Sequence, residues 1–266
     1  MSTASLKADI RRLREHRPSR WQVVTEDRVE FARSLRIAPD LWQERALRSE
    51  AARVLFNCSR QSGKSTIAGV LALHKALISP GALVLILAPA ERQAKELFSK
   101  VAKAYHDLGH IIPAESYRKL GMQLANGSRI EALPGTEKTI RGFSGVDLLV
   151  VDEAARVDDG LYYAVRPMLA VSAGRLMLLS TPAGRRGVFH EEWTNGEGWE
   201  RYEIPASEVP RIPAAFLDEE RASLPAFIYE QEYCCRFIDN EDQLFGYELV
   251  SSSITDEVAP LFGEAS

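Results

Sequence analysis

Four segments, residues 53–58, 83–88, 147–151 and 175–179, are short and almost continuously apolar. That is the pattern of strands buried on both faces. Residues 66–77 and 91–106 instead carry their apolar positions at helical spacing, and the second has a charged opposite face. Pro80-Gly81 separates the first of these helices from the strand after it. A further helix is predicted over 161–169 and a further strand over 199–204. Strands alternating with helices predict an open, mainly parallel α/β sheet flanked by helices. One stretch departs from this rhythm. Residues 122–125 and 129–132 flank Asn126-Gly127, a hairpin signal, so an antiparallel addition to the sheet is expected there. Towards the N-terminus, 6–14 reads as a charged helix, a second helix follows Thr25, and a third follows Asp40 as its N-cap. Towards the C-terminus, 205–213 is a proline-containing connector and 216–233 a helix interrupted at Pro225.

Composition narrows the class. The 266 residues suffice for one large α/β domain with a small appendage, and 45% apolar with 26% charged residues is ordinary for a globular chain. No apolar run approaches the roughly 20 residues that span a bilayer. The N-terminus lacks the apolar core of a signal peptide. Neither a membrane nor secretion is expected. Cys58, Cys234 and Cys235 are odd in number and lack zinc-ligand spacing, so they read as reduced thiols of an intracellular protein. The net charge of −4 argues mildly against nucleic acid, but the charge is unevenly spread. Lys7, Arg11, Arg12, Arg14, Arg17 and Arg20 face only Asp9 and Glu15 in the first twenty residues, and no Lys or Arg follows Glu241. The basic arm either meets phosphates or is a solvated helix face. The expected division is a helical, partly basic segment 1–37, a core 38–206, a helical subdomain 207–240 and an acidic tail 241–266.

The chemistry begins at Cys58-Ser59-Arg60-Gln61-Ser62-Gly63-Lys64-Ser65, which follows an apolar strand and opens a helix. That context is what a phosphate loop requires: backbone N–H groups and the helix N-terminus face the β- and γ-phosphates. Gly63 permits close backbone approach, Lys64 supplies a mobile charge, and Ser65 can place its hydroxyl on Mg²⁺. Arg60, Gln61, Ser62, Gly63, Lys64, Ser65 and Thr66 form the expected ATP-binding set. Cys58 stands where the motif's first glycine usually lies. The alternative is a tight glycine turn with a surface lysine.

The partner motif is the strand 147–151 running into Asp152 and Glu153. A buried parallel strand delivers its C-terminal end to the ligand crevice of an open α/β sheet. Asp152 is expected to hold Mg²⁺ with Ser65, and Glu153 to polarise the attacking water. The glutamate points to hydrolysis rather than phosphoryl transfer between nucleotides. The expected fold is therefore a P-loop NTPase of the additional-strand, catalytic-glutamate type.

Together these residues resemble the large subunit of tailed-bacteriophage terminases. The segment 60–65 is similar to that family's variant phosphate loop, which carries an arginine and tolerates loss of the first glycine. Leu87-Ala88-Pro89 with Gln93-Ala94, Thr139-Ile140-Arg141-Gly142 before Asp152-Glu153-Ala154-Ala155, and Ser180-Thr181-Pro182-Ala183-Gly184 resemble further family motifs in the same order, over residues 38–240. The resemblance implies an oligomeric motor that hydrolyses ATP and drives double-stranded DNA into a procapsid, with a portal protein and a small terminase subunit as partners, in the host cytoplasm. It implies an adenine-reading role for Gln43, which follows Trp42. Arg141, between Gly135 and Gly142, read as flexible flanks, becomes an arginine finger for a neighbouring subunit's site. Ser180 and Thr181 become coupling residues that sense the γ-phosphate. Arg60 is left as a γ-phosphate contact, a contact to a neighbouring loop or a surface arginine. Family members continue into a nuclease, and no nuclease activity is expected from these 266 residues. A helicase-like or other nucleic-acid-remodelling ATPase, and a non-hydrolysing assembly factor, are the competing readings.

Overall fold

The computed structural model describes residues 26–135, 140 and 142–238. The expected helix at 6–14, the basic arm, the acidic tail and Arg141 lie outside them. In chain order the elements are α1 (Arg28–Ser34), α2 (Leu41–Arg48), β1 (Arg53–Cys58), α3 (Lys64–Ile78), β2 (Leu83–Ala88), α4 (Glu91–Asp107), β3 (Ala114–Arg118), β4 (Gly121–Leu124) and β5 (Arg129–Pro134). They continue with β6 (Leu148–Asp152), α5 (Asp159–Val165), β7 (Arg175–Ser180), α6 (Gly187–Thr194), β8 (Glu200–Ile204), α7 (Ala214–Ser223) and α8 (Ala226–Cys234).

The strands form one eight-stranded sheet in the order β3-β4-β5-β2-β6-β7-β1-β8. The pairs from β5 through to β8 are parallel, while β4 runs antiparallel to β5 and to β3. The hairpin around Asn126-Gly127 is thus the expected antiparallel addition. The decisive feature is β7, which lies between the phosphate-loop strand β1 and the carboxylate strand β6.

Strand side chains alternate faces, so each central strand feeds two cores. Val54, Phe56, Val84, Ile86, Val150, Met177 and Leu179 pack beneath α1–α4 in one apolar cluster. Leu55, Leu85, Leu87, Leu149, Val151, Leu176 and Leu178 meet α5 and the Val188–Phe189 pair of α6 in the other. Burial on both faces explains why these strands read as nearly continuous apolar runs.

Three elements differ from expectation. The helix expected over 161–169 is α5 followed by a 3₁₀ turn over Arg166–Leu169, because Pro167 has no N–H to continue the α pattern. The edge strand β3 and the short helix α6 were not predicted. Among the described residues β3 pairs only with β4, and it carries Glu115, Ser116 and Arg118. α6 is eight residues long and begins at Gly187. Near the C-terminus, α8 follows Pro225 as expected and returns to the end of β1. Arg60 N–H donates to the Glu232 carbonyl (3.2 Å), and Asn57 Nδ2 donates to the Cys235 carbonyl (2.9 Å). Among the described residues no helix is long and apolar enough to cross a membrane.

Candidate active site

The C-terminal ends of β1, β7 and β6 open side by side, and the functional side chains expected from the sequence collect there. Lys64 begins α3 directly after Gly63 and is buried. Its Nζ donates to Thr181 Oγ1 (3.2 Å) and to the Ser59 carbonyl (3.5 Å), and among the described residues no carboxylate stands within ion-pair distance. A buried cation satisfied only by neutral acceptors favours an anion as the missing partner. The buried Ser59 hydroxyl beside it has no hydrogen-bond partner among the described residues. Ser65, at the second position of the same helix, directs Oγ towards Asp152 Oδ2 (3.4 Å). Thr66 follows, half-buried.

Asp152 ends β6 and is 7% exposed. Burial, and then the neighbouring Glu153, push its carboxyl up to about 6. The hydroxyl and carboxylate are hard oxygen donors of the kind Mg²⁺ takes. The pair therefore fits a divalent cation, whose charge would favour the ionised carboxylate that burial disfavours. Since the native carboxyl titrates near 6 and an unfolded one near 3.8, the native state holds the extra proton between those values. The metal-free fold should lose stability as pH rises through that window and stay at the lower level above it. Asp152→Asn should therefore raise metal-free stability by roughly 3 kcal/mol at pH 8 and progressively less as pH falls towards 4. Denaturant unfolding at several pH values measures this; equal stabilisation at all pH values would contradict it.

Glu153 follows in a left-handed conformation, φ 52° and ψ 40°, unusual for a side chain of its kind. Its carboxylate pairs with Arg156 (2.8 Å), which also donates to the Thr181 carbonyl (3.4 Å) and lies 3.7 Å from Glu232. Arg60 reaches the same Glu232. Of the options open for Arg60, the described contact is with α8. Ser180 turns its hydroxyl onto the Thr181 carbonyl (2.7 Å). Cys58 is wholly buried, and burial holds its thiol up at about 12, so it is a core residue rather than a nucleophile.

Gln43, from α2, is 3% exposed. Its Nε2 donates to the Ser62 carbonyl (3.2 Å) and its Oε1 accepts from the Asp40 N–H (3.0 Å). Gln61, next to Ser62, is exposed with φ 58°. Gly63 has φ +93°, and a Cβ there would stand 2.6 Å from Gln43 Nε2. The crowding that demands glycine comes from the helical side of the loop. Gly135 is not a flexible flank of residue 141. Its Cβ would lie 2.5 Å from Leu161 Cδ2, so it is a packing glycine, whereas Gly142, at φ +112°, has open space around it. Sequence reading did not single out Arg156, Arg211 or Glu232 as site residues.

The strand inserted between β1 and β6, the loop ending in Lys64-Ser65 and the acids Asp152 and Glu153 at the end of β6 define a P-loop NTPase of the additional-strand type. Residues 55–252 match the model of the family described as terminase large subunit, T4likevirus-type, N-terminal, and the chain belongs to that family. It is 27% identical to the terminase large subunit of Thermus virus P23-45, over 74% of this chain and 48% of that protein. To the large subunit of Escherichia phage T5 it is also 27% identical, over 75% of this chain and 47% of that protein. The chain thus spans about half the length of the curated relatives it matches. Among solved structures, the ATPase domain of the Thermus phage P74-26 large terminase superposes with a TM-score of 0.71 at 24% identity, covering 79% of this chain and 98% of that one. The large terminase of a thermophilic bacteriophage in complex with ADP gives 0.61 at 9% identity, covering 80% and 54%. At these identities the superpositions establish the fold.

Proposed function

We propose that this chain is the ATP-hydrolysing motor part of a viral genome-packaging machine and that it drives double-stranded DNA into a procapsid. The observation that carries the reading is the meeting of Lys64, Ser65 and Asp152 at the ends of β1 and β6, in a chain of the terminase family. The loop amides and the N-terminus of α3 bind the phosphates, and Lys64 leaves Thr181 and the Ser59 carbonyl to neutralise them. Ser65 and Asp152 would hold Mg²⁺, which would supply positive charge against the phosphates. Glu153 orients the attacking water and accepts its proton. Gln43 keeps one amide hydrogen and one oxygen lone pair for the adenine edge beyond the two bonds it already makes. Ser180, the last residue of β7 between base and loop, and Thr181, directly after it, register the loss of the γ-phosphate. Arg60 reaches the γ-phosphate only after giving up Glu232.

In this reading the chain works as a homo-oligomeric ring with a portal protein and a small terminase subunit, in the host cytoplasm during virion assembly. The purified chain should turn over ATP only when Mg²⁺ is supplied, and faster when procapsids, small subunit and DNA are added. No turnover under those complete conditions would overturn the reading.

A further inference from the structure

The Ser62 carbonyl is held from behind by two donors. One is Gln43 Nε2 at 3.2 Å, and the other is Arg211 Nη2 at 2.8 Å. The second Arg211 nitrogen, Nη1, lies 2.6 Å from both oxygens of Asp40, the N-cap of α2. Arg211 itself stands in the connector between β8 and α7, 149 residues from Ser62, and its side chain is 47% exposed. A half-exposed arginine that makes three bonds to a loop and a helix cap gains little as a fold-stabilising contact. Its geometry is specific all the same.

In a trans peptide the carbonyl and the following N–H point in opposite directions, and no cis bond occurs among the described residues. Two donors on the Ser62 oxygen therefore aim the Gly63 N–H to the other side of the loop. That N–H donates to no group among the described residues, and Lys64 follows it directly. Gly63 is at φ +93°, a conformation that glycine adopts without a Cβ penalty, and its own carbonyl is held by Thr66 and Ile67 N–H, so the two anchors fix the peptide on its other side. A Cβ on Gly63 would meet the same two groups, 2.6 Å from Gln43 Nε2 and 3.3 Å from Arg211 Nη2, so the rear wall of the loop is made of them.

We infer that Arg211 is a positioning residue of the phosphate loop. With Asp40 fixing its guanidinium, it locks the Ser62–Gly63 peptide so that the Gly63 N–H stays turned towards a bound diphosphate group. Because the connector leads within two residues into α7, the shape of the loop is tied to the helical pair α7–α8. The inference rests on the nucleotide reading of this site.

Arg211→Ala should weaken ADP and ATP binding roughly tenfold, measured by equilibrium titration. It should leave AMP, which has no β-phosphate, bound as by the parent chain in ligand-observed NMR. Turnover at saturating ATP should stay within about threefold of the parent, so the effect falls on KM rather than kcat. Arg211→Lys, which can reach Ser62 or Asp40 but not both, should recover part of the ADP affinity. Asp40→Asn, which keeps the helix cap, should lose a part. Equal losses for AMP and ADP would mean that Arg211 reads the base or merely supports the fold, and would overturn the inference. Unchanged ADP affinity in Arg211→Ala would overturn it as well. If the parent chain fails to bind ADP, or Lys64→Ala binds it as tightly as the parent, the nucleotide reading itself falls.

Discussion

Glu153→Gln is expected to bind ATP with near-parental affinity and to hydrolyse it about 10²–10⁴-fold more slowly. Glutamine matches glutamate in shape and leaves an oxygen for Arg156 to donate to, so the pocket should keep its form. What it lacks is an anionic oxygen able to take the proton of the attacking water. Lys64, Ser65 and Asp152 are untouched, so the phosphates and the metal should be held as before. Phosphate release in a single turnover, beside an equilibrium titration with nucleotide, separates chemistry from binding. Hydrolysis within a few-fold of the parent would remove Glu153 from the proposed chemistry.

Arg141→Ala is expected to lower assembled turnover by about 10³–10⁵-fold, the range over which an arginine finger acts. Residue 141 lies outside the described residues, and the finger role proposed for it rests on the family resemblance. Its described neighbours are Ile140, buried in the second core, and Gly142 and Gly145, at φ +112° and +65° with open space where a Cβ would stand. A finger offered to the next subunit leaves a lone chain with base and loop but without full neutralisation of the γ-phosphoryl oxygens. Rate per chain should therefore rise with protein concentration, or when a portal gathers subunits. Mixing discriminates the two geometries. Arg141→Ala chains keep Glu153 and Glu153→Gln chains keep Arg141, so some mixed interfaces regain both groups if the finger acts across the boundary. A mixture that stays inactive would place the finger within its own chain, and a parental rate for Arg141→Ala alone would make the arginine structural.

The sheet was legible wherever burial is two-sided. β1 and β2 begin and end where the apolar runs do, because both faces of a central strand are buried, and a polar residue there, Asn57, needs a partner, the Cys235 carbonyl. β3 was not, because an edge strand with one neighbour places Glu115 and Arg118 without penalty and so leaves no pattern. Of the site, Lys64, Ser65 and Asp152 could be found because each sits at a strand or helix terminus, where position along the chain implies position in space. Arg211 and Glu232 could not. Their partners are 149 and 172 residues away, and nothing local distinguishes either from a solvated surface charge. Gly135 misled for a related reason. A glycine kept small by a distant side chain, Leu161, looks in sequence like one kept for freedom.

The left-handed backbone of Glu153 also sets selection for durability against selection for work. Glycine or asparagine would occupy that conformation with less strain, and neither could take the role of base proposed for Glu153. A library of this chain sorted only for resistance to heat should drift away from glutamate at that position, while, on the proposed chemistry, one sorted for ATP turnover should return to it in every round.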